Sequence, residues 1–144
     1  MEEHVLDEDF FYEAADIQDK SVPLETIKYV GVSVQPFTDI SFILKAPNLE
    51  IVNLRLCSLQ AFPQEFFSLP NLKSLDLSGN AIQILPDKES FSLLPNLRSL
   101  NLQDNGISEL SEVFKISGAP NIRQLSLSGN VCISQNDSFN LITK

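Results

Sequence analysis

The side chains that most often carry catalysis or bind metal ions are few in this sequence of 144 residues. The only histidine is His4, and the two cysteines are Cys57 and Cys132. A cysteine nucleophile needs a histidine base beside it, and a zinc site needs several His or Cys ligands at short spacing. No such grouping occurs, and no glycine-rich phosphate loop or paired carboxylate site replaces it. We therefore expect no catalytic residues, no metal site, no cofactor and no small-molecule substrate.

Negative charge is concentrated at the start of the chain. Residues 1–25 contain nine acidic side chains and one lysine, which accounts for nearly all of the formal net charge of -9. The other residues are close to neutral, so no domain-wide positive field is present to attract a nucleic acid. No segment reaches the roughly 18 to 20 apolar residues of a membrane-spanning helix, and the first residues lack the basic start of a secretory signal. We expect an intracellular protein, cytoplasmic or nuclear, without membrane insertion.

A repeat organises most of the sequence. The tripeptide Pro-Asn-apolar begins at Pro47, Pro70, Pro95 and Pro120, at intervals of 23, 25 and 25 residues. If the apolar residue of the tripeptide is step 1, apolar residues recur at steps 4, 6 and 11, and asparagine or cysteine occupies step 9. A fifth, degenerate copy starts at Ile27. Repeats of about 20 to 50 residues are typical of solenoids, in which each repeat packs on its neighbours.

This pattern resembles the leucine-rich repeat, L-x-x-L-x-L-x-x-N/C-x-L, of the intracellular type. The resemblance implies an α/β solenoid of about five repeats, with a parallel sheet on the concave face and irregular or short helical returns on the convex face. We predict an acidic N-terminal arm or capping helix over 1–22 and repeats over 23–131. Residues 132–144 resemble the start of a C-terminal cap, which we expect to be truncated.

The residues at step 9 are interpreted as structural. Where a chain turns out of a buried strand, backbone donors and acceptors lose their partners, and an amide side chain carries both kinds of group. Stacked once per repeat, such side chains predict a ladder. Its members are Cys57, Asn80, Asn105 and Asn130.

The outward positions of the strands are the candidate binding surface. In leucine-rich-repeat proteins the concave face is the usual place for protein ligands, so we expect a non-catalytic scaffold that binds a protein partner there. Alternatives are a regulatory or targeting subunit of an enzyme such as a phosphatase, a cytoskeletal or ciliary assembly factor, and, more remotely, a nucleic-acid-associated protein. The predicted contact residues are Tyr29, Asn53, Arg55, Asp76, Asn101, Gln103 and Ser126.

Step 2 of the repeats forms a row of mostly basic residues. The row consists of Lys28, Glu50, Lys73, Arg98 and Arg123. One interpretation is a set of solvated positions without a specific role. The other is that Lys28, Lys73, Arg98 and Arg123 receive an acidic segment, either from a partner or from the chain's own first 25 residues.

Residues 6–18 have the spacing of an amphipathic helix. Leu6, Phe10, Ala14 and Ile17 fall on one face, and we expect Val22-Pro23 to end the helix. A solenoid exposes its core at each end, so this helix is predicted to bury Phe10 and its neighbour Phe11 against the first repeat. The alternative is an acidic aromatic arm that docks on another protein.

Overall fold

The computed structural model describes residues 4–135 and consists of short strands and single-turn helices in regular alternation. Of the predicted C-terminal cap, residues 132–135 are described and residues 136–144 lie outside the described residues. The strands are β1 (His4–Val5), β2 (Tyr29–Ser33), β3 (Phe37–Asp39), β4 (Ile51–Arg55), β5 (Ser74–Asp76), β6 (Ser99–Asn101) and β7 (Gln124–Ser126). The α-helices are α1 (Glu8–Ala14), α2 (Lys88–Phe91), α3 (Leu110–Phe114) and α4 (Val131–Gln135). Short 3-10 helices cover Leu24–Thr26, Ser41–Lys45, Gln64–Ser68 and Lys115–Gly118.

Five strands, one from each repeat, form a parallel sheet in the order β2-β4-β5-β6-β7. The register is constant, so the same step of every repeat lies side by side across the sheet. Tyr29, for example, is opposite Ile51, which is opposite Ser74. The predicted fold class, a leucine-rich-repeat solenoid with short helical returns, is confirmed.

The core lies between this sheet and the returns. Leu75 and Leu77 are both buried, as the alternating pattern of the strand predicts. On the return side, four phenylalanine rings from two consecutive repeats form one cluster, with centroids 5.5 to 6.0 Å apart. The cluster consists of Phe62, Phe66, Phe67 and Phe91. Two apolar residues of the returns lie partly at the surface, since Leu93 is 55% exposed and Phe114 is 46% exposed.

The asparagine of each Pro-Asn anchor links its repeat to the preceding one. The Asn96 amide nitrogen donates to the Pro70 carbonyl at 3.2 Å, and the Asn121 amide nitrogen donates to the Pro95 carbonyl at 2.6 Å. The Asn71 amide nitrogen donates instead to the side-chain oxygen of Asn48, at 3.1 Å. The Pro-Asn tripeptide therefore has two roles. It ends each return, and its asparagine forms a hydrogen bond to the adjacent return.

The N-terminal helix is shorter than predicted. It spans Glu8–Ala14, with the Asp7 carboxylate accepting from the Phe10 amide at its start. It ends because Asp16 adopts a left-handed conformation (φ 59°), which lets Asp16 N donate to Glu13 O and Ile17 N donate to Tyr12 O. This pair of bonds closes the last turn well before Pro23.

The segment before this helix forms a strand that the sequence pattern did not indicate. β1 pairs in parallel with β3 of the first repeat, separately from the five-stranded sheet. Leu6 and Phe11 are fully buried, and the Phe11 ring lies 5.3 Å from the ring of Phe42. Phe10 is only partly buried, against Phe37 at 5.6 Å. The segment thus contributes to the same core as the repeats, and whether it acts as the solenoid's cap stays a prediction.

Candidate protein-binding face

The predicted contact residues lie on the outward side of the five-stranded sheet. Steps 3 and 5 of the repeats form two rows across the strands, one running from Tyr29 to Gln124 and the other from Gly31 to Ser126. Arg55 and Gln103 follow at step 7. Ser78, also at step 7, is buried, and its hydroxyl donates to the Asp76 carboxylate at 2.7 Å.

Three of the predicted contact residues also shape the backbone. Asn53, Asp76 and Asn101 each accept, through a side-chain oxygen, from the backbone N–H two residues ahead, at 3.1, 2.9 and 3.0 Å. Such local bonds fix the end of a strand in the manner of an Asx turn. The polar centre of the face is therefore held in place before any ligand binds.

Tyr29 is positioned by a glycine two residues ahead of it. Its phenol lies along β2 over Gly31, where an added Cβ would overlap the Tyr29 hydroxyl. Gly31 thus leaves room for the ring to lie against the strand, while 46% of the Tyr29 surface stays exposed. Tyrosine and arginine are the residue types that most often dominate protein interfaces, so Tyr29 and Arg55 are the strongest anchors on this face.

The last three strands form an open polar depression of about 460 Å³. Its lining is made mainly of small hydroxyl and amide side chains, together with the Arg123 side chain. Gln103 donates from Nε2 to the Ser128 hydroxyl at 2.9 Å just above it. The depression includes Ser74, Asp76, Ser99, Asn101, Gln124 and Ser126.

Glu50 divides the basic row into two parts. Its carboxylate pairs with Lys28 at 3.3 Å and with Lys73 at 3.2 Å. The hydrogen bonds from Lys73 and then Lys28 lower the pKa of Glu50. Arg98 and Arg123 have no carboxylate within ion-pair distance among residues 4–135, and the acidic arm's ion pair in that range joins Asp9 to Lys20.

The asparagines at step 9 lie at the turn that follows each strand. Asn80 accepts at Oδ1 from the Cys57 and Leu59 amides, both at 3.0 Å. Its Nδ2 donates to the carbonyls of Leu54 and Leu77 at 3.0 and 2.8 Å. Each bond set therefore joins one repeat to the backbone of the repeat before it.

Asn105 and Asn130 make the same connections one and two repeats further on. Asn105 accepts from Ile82 N at 3.0 Å, and Asn130 accepts from Ile107 N at 3.1 Å. In each of these contacts the asparagine side chain bonds to the backbone of the preceding repeat. The step 9 asparagines therefore form a series of side-chain bridges between repeats.

Cys57 takes the same place with a thiol. Its Sγ donates to Val32 O or Arg55 O, at 3.5 and 3.4 Å, and accepts from the backbone of Gln35. Burial raises the pKa of the Cys57 thiol to about 11, and its side chain has no exposed surface. Such a thiol is a poor nucleophile at neutral pH.

The residue at step 8, between the strand and the step 9 residue, has a positive φ in every repeat. Glycine occupies this position in repeats three and five, where Gly79 and Gly129 have φ of 70° and 80°. Repeat four has Asp104 at 55°, and the first two repeats have Val34 at 58° and Leu56 at 55°. A left-handed conformation is costly for a side chain with a Cβ, and most costly for a β-branched residue such as valine.

Two further properties concern the described part of the chain. No group of three or more His, Cys, Asp or Glu residues within it could hold a metal ion. Among the helices of residues 4–135, none combines the length and apolar character that crossing a bilayer requires.

Comparison with known proteins agrees with this architecture. The family pattern described as leucine rich repeat matches residues 47–107. A leucine-rich-repeat protein of Leptospira interrogans is similar in structure, with a TM-score of 0.59 and 24% identity. The segment 47–107 thus matches the leucine-rich-repeat family, and the chain has the fold of leucine-rich-repeat proteins. Proteins of this superfamily are generally non-enzymatic scaffolds.

Other solved structures share the fold over much of the chain. TLR13, in its complex with ssRNA13, is 28% identical over 67% of this chain, with a TM-score of 0.57. An internalin of Listeria monocytogenes is 18% identical over 83% of this chain, with a TM-score of 0.58. The chain spans 27% of the length of the Leptospira protein, 14% of TLR13 and 41% of the internalin. No curated protein matches the chain in a sequence comparison.

Proposed function

We propose that this chain is a non-catalytic scaffold that binds a protein partner through the outward face of its five-stranded sheet. The observation that carries the proposal is the constant register of five short strands, which presents two rows of side chains on a fixed surface about 19 Å across. A surface of this width accommodates a peptide or one helix of a partner. The anchors are Tyr29 and Arg55, and the polar contacts are Asn53, Asp76, Asn101, Gln103 and Ser126.

The basic row supports a partner with acidic groups. Because Lys28 and Lys73 already pair with the Glu50 carboxylate, the guanidinium groups of Arg98 and Arg123 are the better candidates for binding carboxylates of a partner. Arginine binds a carboxylate through two parallel hydrogen bonds, which adds geometric specificity to charge. Arg123 also lines the polar depression, so a carboxylate bound there would lie beside the concave face.

Affinity capture from a cell extract tests the proposal. Gln124→Arg places a bulky side chain in the depression, and Ser111→Arg adds the same side chain to an exposed position of α3 on the opposite side. We expect the first variant to lose partners that wild type and the second variant retain. Equal recovery of every partner by all three proteins would contradict binding through the concave face.

The capture experiment also distinguishes the narrower roles. A targeting subunit of an enzyme such as a phosphatase would recover that enzyme, and an assembly factor would recover cytoskeletal or ciliary proteins. Both roles would use the same face. An intracellular location, cytoplasmic or nuclear, is part of the proposal. It is supported by the sequence having two cysteines, Cys57 and Cys132, which are too few for a disulfide framework.

Binding to nucleic acid is the remote alternative. The TLR13 structure is a complex with an RNA, but this chain has a net charge of -9, and its row of cations is partly neutralised by Glu50. Filter binding of a labelled single-stranded RNA at low salt is the direct test. We expect no retention, because few phosphates could be neutralised on this surface.

A further inference from the structure

The first two repeats expose large apolar residues where the later repeats have glycine or aspartate. Val34 is 65% exposed and Leu56 is 42% exposed, and both have the left-handed backbone that suits glycine. Glycine fills the same step in repeats three and five, so the turn itself does not require an apolar side chain. Strained residues that gain little burial are a recognised mark of binding surfaces. Val34 and Leu56 therefore have the properties of ligand contacts.

A second apolar pair lies at the other end of the same two strands. Tyr29 and Ile51 are neighbours in the sheet register and are 46% and 44% exposed. Together with Val34 and Leu56 they define what we call the apolar stripe. The polar outward residues at step 3 of the next three strands are Ser74, Ser99 and Gln124. The stripe is thus confined to β2 and β4.

The dimensions of the stripe suit an α-helix. The two apolar pairs are five residues apart along the strands, or about 16 Å. A helix rises about 1.5 Å per residue, so three turns cover this distance and place apolar side chains at i, i+4, i+7 and i+11. Two strands and the flanking spaces are about as wide as one helix with its side chains, roughly 10 Å. Between the pairs, Gly31 and Asn53 present no bulky apolar side chain.

Charge around the stripe indicates the character of the partner's polar face. Lys28 precedes β2 and lies at the Tyr29 end of the stripe, and Arg55 ends β4 at the other end. The single carboxylate of Glu50 is shared between Lys28 and Lys73, which leaves the Tyr29 end with an excess of positive charge, whereas Asp76 and Asp104 lie beside Arg55 and Leu56. Acidic residues on the flank of a bound helix would complement the charge at the Tyr29 end.

We infer that the apolar stripe of Tyr29, Val34, Ile51 and Leu56 binds an amphipathic helix of a partner protein that carries acidic residues on its flank. The inference rests on the proposed function and assigns the partner's apolar contacts to the first two repeats, with the polar contacts on the later strands as proposed above. In this arrangement the Tyr29 ring, held over Gly31, is the main anchor and contacts one end of the helix. Val34 and Leu56 contact the other end of the helix.

A peptide selection on the full chain tests this inference. The probe is a phage-displayed library of random 16-residue peptides, and enriched peptides are synthesised for binding and circular dichroism measurements. We expect enriched sequences to carry apolar residues at i, i+4, i+7 and i+11 with Asp or Glu beside them, and to gain helical signal on binding. Enrichment of sequences without this spacing, or no enrichment at all, would overturn the inference.

Three substitutions separate binding from folding. Tyr29→Ala should weaken the selected peptides about tenfold or more. Gly31→Ala should weaken them as well, because the new Cβ displaces the flexible end of Tyr29 without touching the core. Val34→Gly should weaken them while leaving the melting temperature unchanged or higher. Ser111→Ala, at an exposed position of α3 on the opposite side of the molecule, is the control and should have no effect.

The outcomes separate the failure of this inference from the failure of the proposed function. Peptides that bind Tyr29→Ala and Val34→Gly as tightly as wild type contradict the stripe. If those peptides are still lost with Gln124→Arg, the concave face binds its ligand through the later strands and only the present inference fails. If Gln124→Arg and the stripe variants all bind normally, the concave face is not the site and both fail.

Discussion

The turns that follow the strands divide the molecule into two regions. In repeats three to five, each turn has glycine or aspartate followed by an asparagine whose amide bridges to the preceding repeat. In repeats one and two, the same two positions are Val34-Gln35 and Leu56-Cys57. The backbone at the first of these positions is left-handed in both regions. Val34 and Leu56 adopt this conformation at a higher cost than glycine or aspartate does.

This difference indicates that the turns of the first two repeats are not optimised for stability alone. A thiol makes weaker hydrogen bonds than an amide, and a left-handed valine costs about 1 to 3 kcal/mol. The N-terminal segment packs against the first of these repeats, with Leu6 and Phe11 fully buried. The free energy gained by burying these apolar side chains offsets the weaker hydrogen bonds and the backbone strain of the turns. The four predictions below test this division in order of expected effect.

Loss of the N-terminal packing should have the largest effect. Phe11→Ala removes a fully buried ring and should cost about 3 to 5 kcal/mol in the free energy of unfolding, measured by urea denaturation. Phe10→Ala is the matched control, since Phe10 is only partly buried, and it should cost clearly less. Similar small losses for both variants would show that the segment is dispensable, and the prediction of a cap would then fail.

Removing one amide bridge should have the next largest effect. Asn105→Leu leaves Ile82 N and the carbonyls of Leu77 and Leu102 without their partner, which should cost on the order of 1 to 3 kcal/mol. Cys57→Ala, the equivalent change in the first region, should cost less because the bonds of a thiol are weak. Thermal melting of both variants measures the difference. An unchanged melting curve for Asn105→Leu would contradict the bridge.

Relieving the left-handed valine should stabilise the protein. Val34→Gly is expected to raise the free energy of unfolding by about 1 kcal/mol, because strain is removed and little burial is lost. The reverse exchange, Gly79→Ala, should destabilise, because the new Cβ has a left-handed backbone and overlaps Leu56. Urea denaturation of both variants checks the signs. A less stable Val34→Gly would show that the valine supports the fold.

The smallest effect concerns Glu112, which forms an ion pair within its own return and a hydrogen bond to the preceding one. Glu112 accepts from the Leu85 amide at 2.7 Å and from Lys115 at 2.8 Å. Burial raises the pKa of Glu112, but these hydrogen bonds outweigh it and hold the pKa below its ordinary value of 4.5. The ionised group therefore stabilises the fold above about pH 4.5, and this contribution is lost as the pH falls through the folded-state pKa.

Comparison with Glu112→Gln measures this contribution. The wild-type advantage over the variant should be about 0.5 to 1 kcal/mol at neutral pH and should shrink below pH 4.5. Thermal melting between pH 3 and 7, a range chosen to span the carboxyl titration, gives the curve. A constant difference across this range would exclude the titration of Glu112 as its cause.

The repeat architecture could be predicted from the sequence because its signal recurs five times. Step 4 and step 6 residues such as Leu75 and Leu77 are buried, and the strands occur where the spacing indicates. The N-terminal strand His4–Val5 occurs once and is only two residues long, so no periodicity could reveal it. The helix end at Asp16 depends on one left-handed residue, which an aspartate allows but does not require.

The surface was harder to predict than the core, since its properties depend on neighbours from different repeats. The basic row was visible as a pattern, but only the structure shows that Glu50 pairs with both Lys28 and Lys73. Likewise, Val34 and Leu56 do not fit the polar pattern of a turn, and the sequence gives no sign that both are left-handed and exposed. The fit between Tyr29 and Gly31 depends on a ring orientation that no residue pattern specifies.

The amide bridges give the solenoid a direction. Asn80, Asn105 and Asn130 each accept a hydrogen bond from a backbone amide of the repeat before their own. The turn of that preceding repeat therefore depends on the asparagine of the repeat that follows it. Opening of a later repeat would therefore expose unpaired groups in its predecessor, whereas opening of an earlier repeat removes partners from a side chain that can turn to water. Hydrogen exchange is expected to spread more readily from the C-terminal side of the described repeats toward the N-terminal side than in reverse.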